Sequence, residues 1–135
     1  MNIDDFYGKA KQKISQYEDD PDFIDLNKKL FFDVDSASIS LTDINRNFVL
    51  EIEEGILRDI MDSSDKKELH VDLTLEQLKS MLNNYQKGNY PGLLMQASGL
   101  KIPLKYKIRA LRFGKEFVAN KDFREKVSRF IHEDS

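Results

Sequence analysis

The sequence predicts an α+β fold, in which a sheet of short strands occupies the middle of the chain and helices lie at both ends. Apolar residues recur at spacings of three and four in residues 3–17 and again in residues 119–135, as on one helical face. Between residues 38 and 75 they alternate with polar residues, as in strands with one buried face. A chain of 135 residues fits one domain, which we divide into an N-terminal helix (1–19), a core (20–118) and a C-terminal helix (119–135).

Composition limits both the chemistry and the compartment of the protein. The chain has no cysteine, so it has neither disulfides nor thiolate chemistry, which suits a reducing cytosol. It has no apolar run of about 18 residues, the length that a membrane-spanning helix needs. Its N-terminus is acidic, whereas a signal peptide is basic and then apolar. We therefore expect a cytoplasmic protein.

Charge is distributed unevenly along the chain. Residues 1–75 hold 9 Lys and Arg against 18 Asp and Glu, whereas residues 76–135 hold 12 against 6, within a total net charge of −3. The two halves therefore attract each other. The basic C-terminal part either packs beside the acidic strands or meets an anionic surface such as lipid head groups or nucleic acid.

Two helices are predicted before the sheet. The first covers residues 3–17 and has acidic side chains in its first turn, where the helix dipole favours them. Asp20 and Pro21 have the pattern of an N-cap followed by proline at the first helical position. A second helix therefore begins there and ends near Phe32.

Four strands follow, and the short turns between the first three predict an antiparallel meander with one solvated face. The turn between the second and third strands contains Gly55, which tolerates the positive φ of tight hairpin turns. The predicted strands are residues 38–43, 47–53, 56–61 and 69–75.

A helix is predicted directly after the fourth strand. Thr74 and Gln77 have the spacing of a capping box, and Gly88 is the natural stop. The buried face of this helix consists of Leu75, Leu78, Met81, Leu82 and Tyr85. An apolar loop follows, with three large apolar residues in succession that no single helical or strand face buries together. These are Leu93, Leu94 and Met95.

A fifth strand is predicted at residues 100–104, where apolar residues alternate with lysines and a proline that protect a sheet edge. A helix then begins near Leu104 and carries two apolar stripes. One stripe is Leu104, Ile108, Leu111 and Val118, and the other is Tyr106, Ala110, Phe113 and Phe117. A helix with two apolar flanks contacts two neighbours. One is the sheet, and the other is a ligand, a partner protein or the last helix.

The order of these elements and several short motifs resemble the sterol carrier protein type of lipid-transfer domain. The motifs are EEG at residues 53–55, HVDLTLEQLKSML at 70–82, Gly88, and SGLKIPLKYKIRALRF at 98–113. The resemblance covers about residues 20–118. The chain departs from the family pattern at Lys105, where a second glycine is expected, and in the longer segment NNYQKGNYPG at residues 83–92. Its last residues, HEDS at 132–135, differ from the Ser-Lys-Leu peroxisomal address of some members.

The resemblance implies a five-stranded, twisted, mostly antiparallel sheet, with helices covering one face and a hydrophobic cavity between them. It also implies noncatalytic binding and transfer or sequestration of a hydrophobic ligand, such as a fatty acid, an acyl chain or a sterol-like lipid. Apolar residues beyond those that one core needs are the expected cavity lining. The candidate ligand-binding residues are Met81, Leu82, Tyr85, Leu93, Leu94, Met95, Ile102, Leu104, Ile108 and Leu111.

Enzymatic motifs fit this sequence poorly. The segment FFDVDSAS has the two aspartates of aspartate-dependent phosphatases, but it has Ala37 where Thr or Val is expected. As a calcium loop it has Ser38 in place of the glycine and Ile44 in place of the final glutamate. His70 and His132 form no HExxH motif, and no Gly-rich phosphate loop occurs. We therefore expect no enzymatic activity, cofactor or metal.

Two other functions stay open at this point. One is a protein-interaction module of the adaptor or immunity type, which would use the apolar flank of the 104–118 helix. The other is nucleic-acid binding, but the acidic pI and the lack of a known motif argue against a nucleic-acid partner. The basic residues that would carry it are Lys101, Lys105, Lys107, Arg109, Arg112 and Lys115. The expected partners are a hydrophobic small molecule or lipid and, transiently, an anionic membrane surface. The oligomeric state is open.

Overall fold

The computed structural model describes residues 2–132 and shows an α+β fold with six helices and a four-stranded mixed sheet in that range. In chain order the elements are α1 (Ile3–Tyr17), α2 (Pro21–Phe31), β1 (Ser36–Leu41), β2 (Arg46–Glu53), β3 (Ile56–Asp62), β4 (Leu69–Leu73), α3 (Leu75–Gln86), α4 (Tyr90–Ser98), α5 (Leu104–Ala119) and α6 (Lys121–His132). Met1 and residues 133–135, the end of the predicted C-terminal helix, lie outside the described residues.

Local capping signals correctly predict where several helices begin. The Asp20 carboxylate accepts the backbone N–H of Asp22 at 2.9 Å and caps α2. At α3 the predicted capping box is confirmed, because the Thr74 hydroxyl accepts the Gln77 N–H at 3.0 Å and the Gln77 side chain accepts the Thr74 N–H at 2.8 Å. Each cap satisfies a backbone donor that the helix itself leaves unpaired. These helix starts therefore depend on residues within one turn of each other.

The prediction of a five-stranded, mostly antiparallel sheet is wrong in two respects. The first is the pairing of β4. The strand order is β3-β2-β1-β4, in which β1 and β4 are parallel, with Ser38 opposite His70. A simple meander would instead have placed β4 beside β3. The connection at residues 63–68 can span about 20 Å when extended, whereas three strand spacings measure about 14 Å. The chain therefore has enough length to return across the sheet.

Polar side chains on the outer face of the sheet hold this returning segment, which we call the crossover loop (residues 63–68). The side-chain amide of Asn47 donates to the carbonyl oxygens of Ser63 and Asp65, at 2.5 and 2.7 Å. The backbone N–H of Lys67 donates to the Ser38 hydroxyl at 2.8 Å. These bonds satisfy loop groups that would otherwise lie unpaired over the sheet, and they stabilise the parallel arrangement.

The fifth strand is the second error in the predicted sheet. Residues 100–103 form neither strand nor helix, and α5 begins at Leu104, where the transition was predicted. Pro103 lacks the N–H that a ladder requires, and its φ of −53° suits the start of a helix. Its carbonyl oxygen accepts the N–H of Lys107 at 3.0 Å. The apolar alternation instead reflects an extended loop, in which Ile102 packs against the sheet core.

Helix α4 replaces the predicted apolar loop. The Asn89 side chain caps it by accepting the Gly92 N–H at 3.2 Å, and Pro91 lies in its first turn. Two of its three successive apolar residues, Leu93 and Leu94, are half-buried, whereas Met95 is 74% exposed. A helix can therefore hold these three successive apolar residues, because the Met95 side chain stays exposed to solvent.

Buried apolar residues form two separate layers. The first lies on one face of the sheet, where helices α1, α2, α3 and α5 pack against buried strand residues such as Leu41, Phe48 and Leu73. The second lies among the helices and is rich in aromatic side chains. Its buried members are Tyr17, Leu26, Tyr85, Phe117, Phe123 and Phe130. Many of the apolar residues in the C-terminal half that exceed the needs of one core therefore pack in this second core.

Ion pairs between the two halves of the chain explain much of the uneven charge. Lys126 of α6 lies 2.9 Å from Asp25 of α2, and Arg129 pairs with Asp20 and Asp22 at the start of α2. Basic side chains of α6 therefore pack beside the acidic first half of α2, whose last turn is itself basic, rather than beside acidic strands. Within the described residues, no helix combines the length and the apolar composition needed to cross a bilayer.

Candidate functional site, an apolar groove in the helical layer

Side chains of α3, α4 and α5, with Val127 of α6, line an open groove of about 260 Å³, which we call the apolar groove. Its lining side chains are almost entirely apolar. They are Met81, Tyr85, Tyr90, Leu93, Leu94, Ala97, Ala110, Phe113, Gly114, Phe117, Val118 and Val127. A concave apolar surface with few polar groups is typical of a site for a hydrophobic small molecule.

Small residues on α4 and α5 leave room for the groove. Ala97 and Ala110 each contribute only a methyl group to its wall. At Gly114 the Leu94 side chain of α4 comes close to α5, because a Cβ there would lie 2.5 Å from Cδ1 of Leu94. Any side chain at Gly114 would push Leu94 aside and change the groove's shape.

Aromatic rings form the rigid inner end of the apolar groove. The Tyr90 and Phe117 rings meet edge to face, with centroids 5.0 Å apart, and the Tyr85 ring lies 5.9 Å from that of Phe117. Such ring pairs add stability beyond burial alone. This end of the groove is therefore preorganised for an apolar ligand.

The Tyr85 hydroxyl is a fixed polar group beside this apolar lining. It donates a hydrogen bond to the Ser128 hydroxyl at 2.8 Å, and the residue is buried. Burial raises the pKa of the Tyr85 hydroxyl and so favours its neutral form. It can act as a hydrogen-bonding group without placing a charge next to the apolar groove.

A row of three polar side chains on the outer face of the sheet has the composition of a catalytic triad. Ser38 Oγ lies 2.6 Å from His70 Nδ1, and His70 Nε2 lies 2.8 Å from Asp72 Oδ1. Because the Asp72 carboxylate can only accept, Nε2–H donates to it, and in the neutral imidazole Nδ1 then accepts the Ser38 hydroxyl proton.

The position of Ser38 shows what this row does. Its side chain is completely buried beneath the crossover loop, and its oxygen is hydrogen-bonded on both sides. A nucleophile has to reach its substrate and be within reach of a base that takes its proton. The arrangement therefore fits a structural link that fastens the crossover loop to β1 and β4 better than an acyl-transfer site.

The ten sequence-predicted site residues separate into two groups. Those that line the apolar groove are Met81, Tyr85, Leu93 and Leu94. The other six do not line it. Leu82 and Leu111 are half-buried elsewhere, whereas Met95 and Leu104 are 74% and 71% exposed. Ile102 packs on the sheet core, and Ile108 lines a different groove. Ligand contact by any of them stays a prediction.

Most of the lining residues absent from the predicted site belong to patterns visible in the sequence. Ala110, Phe113 and Phe117 form one of the two apolar stripes of α5, and Val127 lies on the apolar face of α6. The stripe shows that this face is buried but does not show what covers it. Gly114 carried no such signal, because its role depends on the approach of Leu94 from another helix.

Comparison with known proteins gives no match at any level. No protein-family profile matches the chain, and no curated protein or solved structure is significantly similar to it.

Proposed function

We propose that the protein binds a small hydrophobic ligand in the apolar groove, without chemical conversion, and carries or sequesters it in the cytoplasm. The observation that supports this most directly is the groove itself: about 260 Å³ of concave space with an almost wholly apolar lining, in a chain that is one-third charged. A concave apolar lining with few polar groups is typical of a site for a small hydrophobic ligand.

The volume of the groove narrows the ligand class. An engineered apolar cavity of about 150 Å³ holds benzene, and drug-sized ligands occupy pockets of about 300 to 1,000 Å³. The apolar groove lies between these sizes. Its volume therefore favours a short acyl chain or a small aromatic compound over a whole sterol.

The first test places a carboxylate in the groove. With Leu94→Asp, we expect affinity for the neutral fluorophore N-phenyl-1-naphthylamine to fall by at least about tenfold, because burying an unpaired charge beside an apolar ligand is costly. The measurement is a fluorescence titration, with circular dichroism to confirm that the variant is folded.

Lys121→Ala is the control for this titration, since Lys121 begins α6 and its side chain is 79% exposed. We expect its affinity for the fluorophore to match that of the unmodified protein. An equal loss of affinity in the two variants would show that the probe binds outside the apolar groove.

A second candidate function, the adaptor or immunity-type interaction module, is supported by a separate observation. Leu104 and Ile108 lie one turn apart on α5 and remain 71% and 41% exposed. They belong to the apolar stripe of α5 that also contains Leu111 and Val118, and neither Leu104 nor Ile108 lines the apolar groove. This flank offers an unpartnered surface to another molecule.

A further inference from the structure

A second groove runs between the end of α2 and the other flank of α5, and we call it the basic groove. Its volume is about 550 Å³, and it combines cationic and apolar side chains. Those that matter here are Lys29, Phe32, Lys105, Ile108, Arg109 and Arg112. It contrasts with the apolar groove, whose lining has almost no polar group.

Positive charge is in excess in the basic groove. Asp33 pairs with Arg109 at 2.7 Å and with Lys105, and these two cations lower the pKa of Asp33 to about 2. Glu116 lies 3.7 Å from Lys29. Arg112 is exposed and has no ion-pair partner among residues 2–132. Four cations therefore face two carboxylates, in a chain whose net charge is −3.

Apolar side chains are exposed beside these cations. Phe32 is 65% exposed and Ile108 is 41% exposed, although both are large. The Arg109 guanidinium lies 4.6 Å from the centroid of the Phe32 ring and also donates to the Leu30 carbonyl oxygen at 3.0 Å. Stacking on a guanidinium that is itself fixed holds the ring in place in solvent. The exposed apolar surface is therefore preorganised.

We infer that the basic groove binds an acidic segment of a partner protein that also carries aliphatic or aromatic side chains. Carboxylates of such a segment would meet Arg112 and its neighbouring cations, and its apolar side chains would cover Phe32 and Ile108. Aromatic and arginine side chains in a desolvated groove are the usual centres of binding energy at protein interfaces. This inference does not depend on the proposed ligand of the apolar groove.

The shape and chemistry of the groove favour this occupant over other anions. A bilayer surface is flat on the scale of one groove, whereas side chains of a peptide can enter a concave volume of about 550 Å³. A nucleic-acid backbone would satisfy the cations but would leave the apolar side chains of Phe32 and Ile108 uncovered.

The test uses a fluorescein-labelled peptide of sequence Glu-Phe-Glu-Leu-Glu-Glu and its charge-reversed counterpart, Lys-Phe-Lys-Leu-Lys-Lys, with binding followed by fluorescence anisotropy. We expect saturable binding of the acidic peptide only. Arg112→Glu should weaken it by at least about tenfold, because a like charge replaces the unpaired cation. Phe32→Ser should also weaken binding, whereas Lys121→Glu, an exposed charge reversal on α6, should change it by less than about twofold.

Other results would overturn the inference. Equal binding of the two peptides, or equal losses for Arg112→Glu and Lys121→Glu, would mean that the basic groove is not the binding site. Flotation with vesicles of equimolar phosphatidylcholine and phosphatidylserine tests binding to a bilayer. If the unmodified protein bound these vesicles but not the peptide, and Arg112→Glu abolished the vesicle binding, the groove would be a membrane-binding site. Sedimentation velocity tests whether a second copy of the chain occupies the groove. If the unmodified protein were a dimer that did not bind the peptide, and Arg112→Glu dissociated that dimer, the groove would be a self-association site.

Discussion

Replacing Gly55 with alanine is expected to destabilise the protein by about 2 to 4 kcal/mol, which is a large part of the stability of a domain this size. Gly55 has a φ of +77° in the turn between β2 and β3, a conformation that residues with a Cβ rarely adopt. In addition, a Cβ would lie 2.8 Å from Cα of Phe32 and 3.2 Å from the carbonyl oxygen of Phe31. These are backbone atoms at the end of α2, so the helix itself would have to move. Urea unfolding measures the loss.

Gly88→Ala is the matched control for this substitution. Gly88 has a φ of +75°, but no atom of the residues that the structure describes lies within 4 Å of the position where its Cβ would be. Only the backbone cost remains, about 1 kcal/mol. Equal losses in the two variants would show that the close approach of α2 to Gly55 does not contribute to stability.

Ala110→Leu is expected to remove ligand binding while leaving the fold intact. Ala110 is half-buried in the wall of the apolar groove, and leucine is compatible with the interior of α5. The larger side chain would occupy the space that we assign to the ligand. Affinity for N-phenyl-1-naphthylamine should fall by at least about tenfold, and the free energy of unfolding should change by less than about 1 kcal/mol.

Ala119→Leu makes the same change on the same helix at an exposed position outside the apolar groove. It should bind the fluorophore with unchanged affinity. If Ala110→Leu bound it as tightly as the unmodified protein, the site would have to lie elsewhere.

Local sequence signals were sufficient for much of the secondary structure. The first helix has its predicted bounds, and the Thr74 capping box and the Gly88 stop lie where the spacing of these residues indicated. Each feature depends on residues that are close together in the chain. Short sequence motifs of this kind encode hydrogen bonds that span one helical turn.

The sheet could not be predicted in the same way because its pairing depends on distant contacts. The parallel pairing of β1 with β4 is supported by hydrogen bonds from the Lys67 N–H to Ser38 and from the Asn47 amide to Ser63, and no sequence motif predicts these bonds. The alternation at residues 100–104 matched a strand, but a few apolar residues cannot distinguish a strand from an extended loop that packs on a core. Tertiary contacts of Ile102 decided the outcome.

The candidate site was predictable only in part for a similar reason. Apolar spacing correctly indicated that α3 and α5 each bury a face, and Met81 and Tyr85 lie where that face meets the apolar groove. Which residues of α5 border the apolar groove depends on how α4 approaches that helix. That approach depends on Gly114, whose importance becomes visible only beside Leu94.

Native mass spectrometry of the protein mixed with excess decanoic acid tests the central claim most directly. We predict a complex of one decanoate with one chain for the unmodified protein, and no such complex for Ala110→Leu under the same conditions. A bare chain in both samples, or equal amounts of complex in both, would contradict the assignment of the apolar groove as a ligand site.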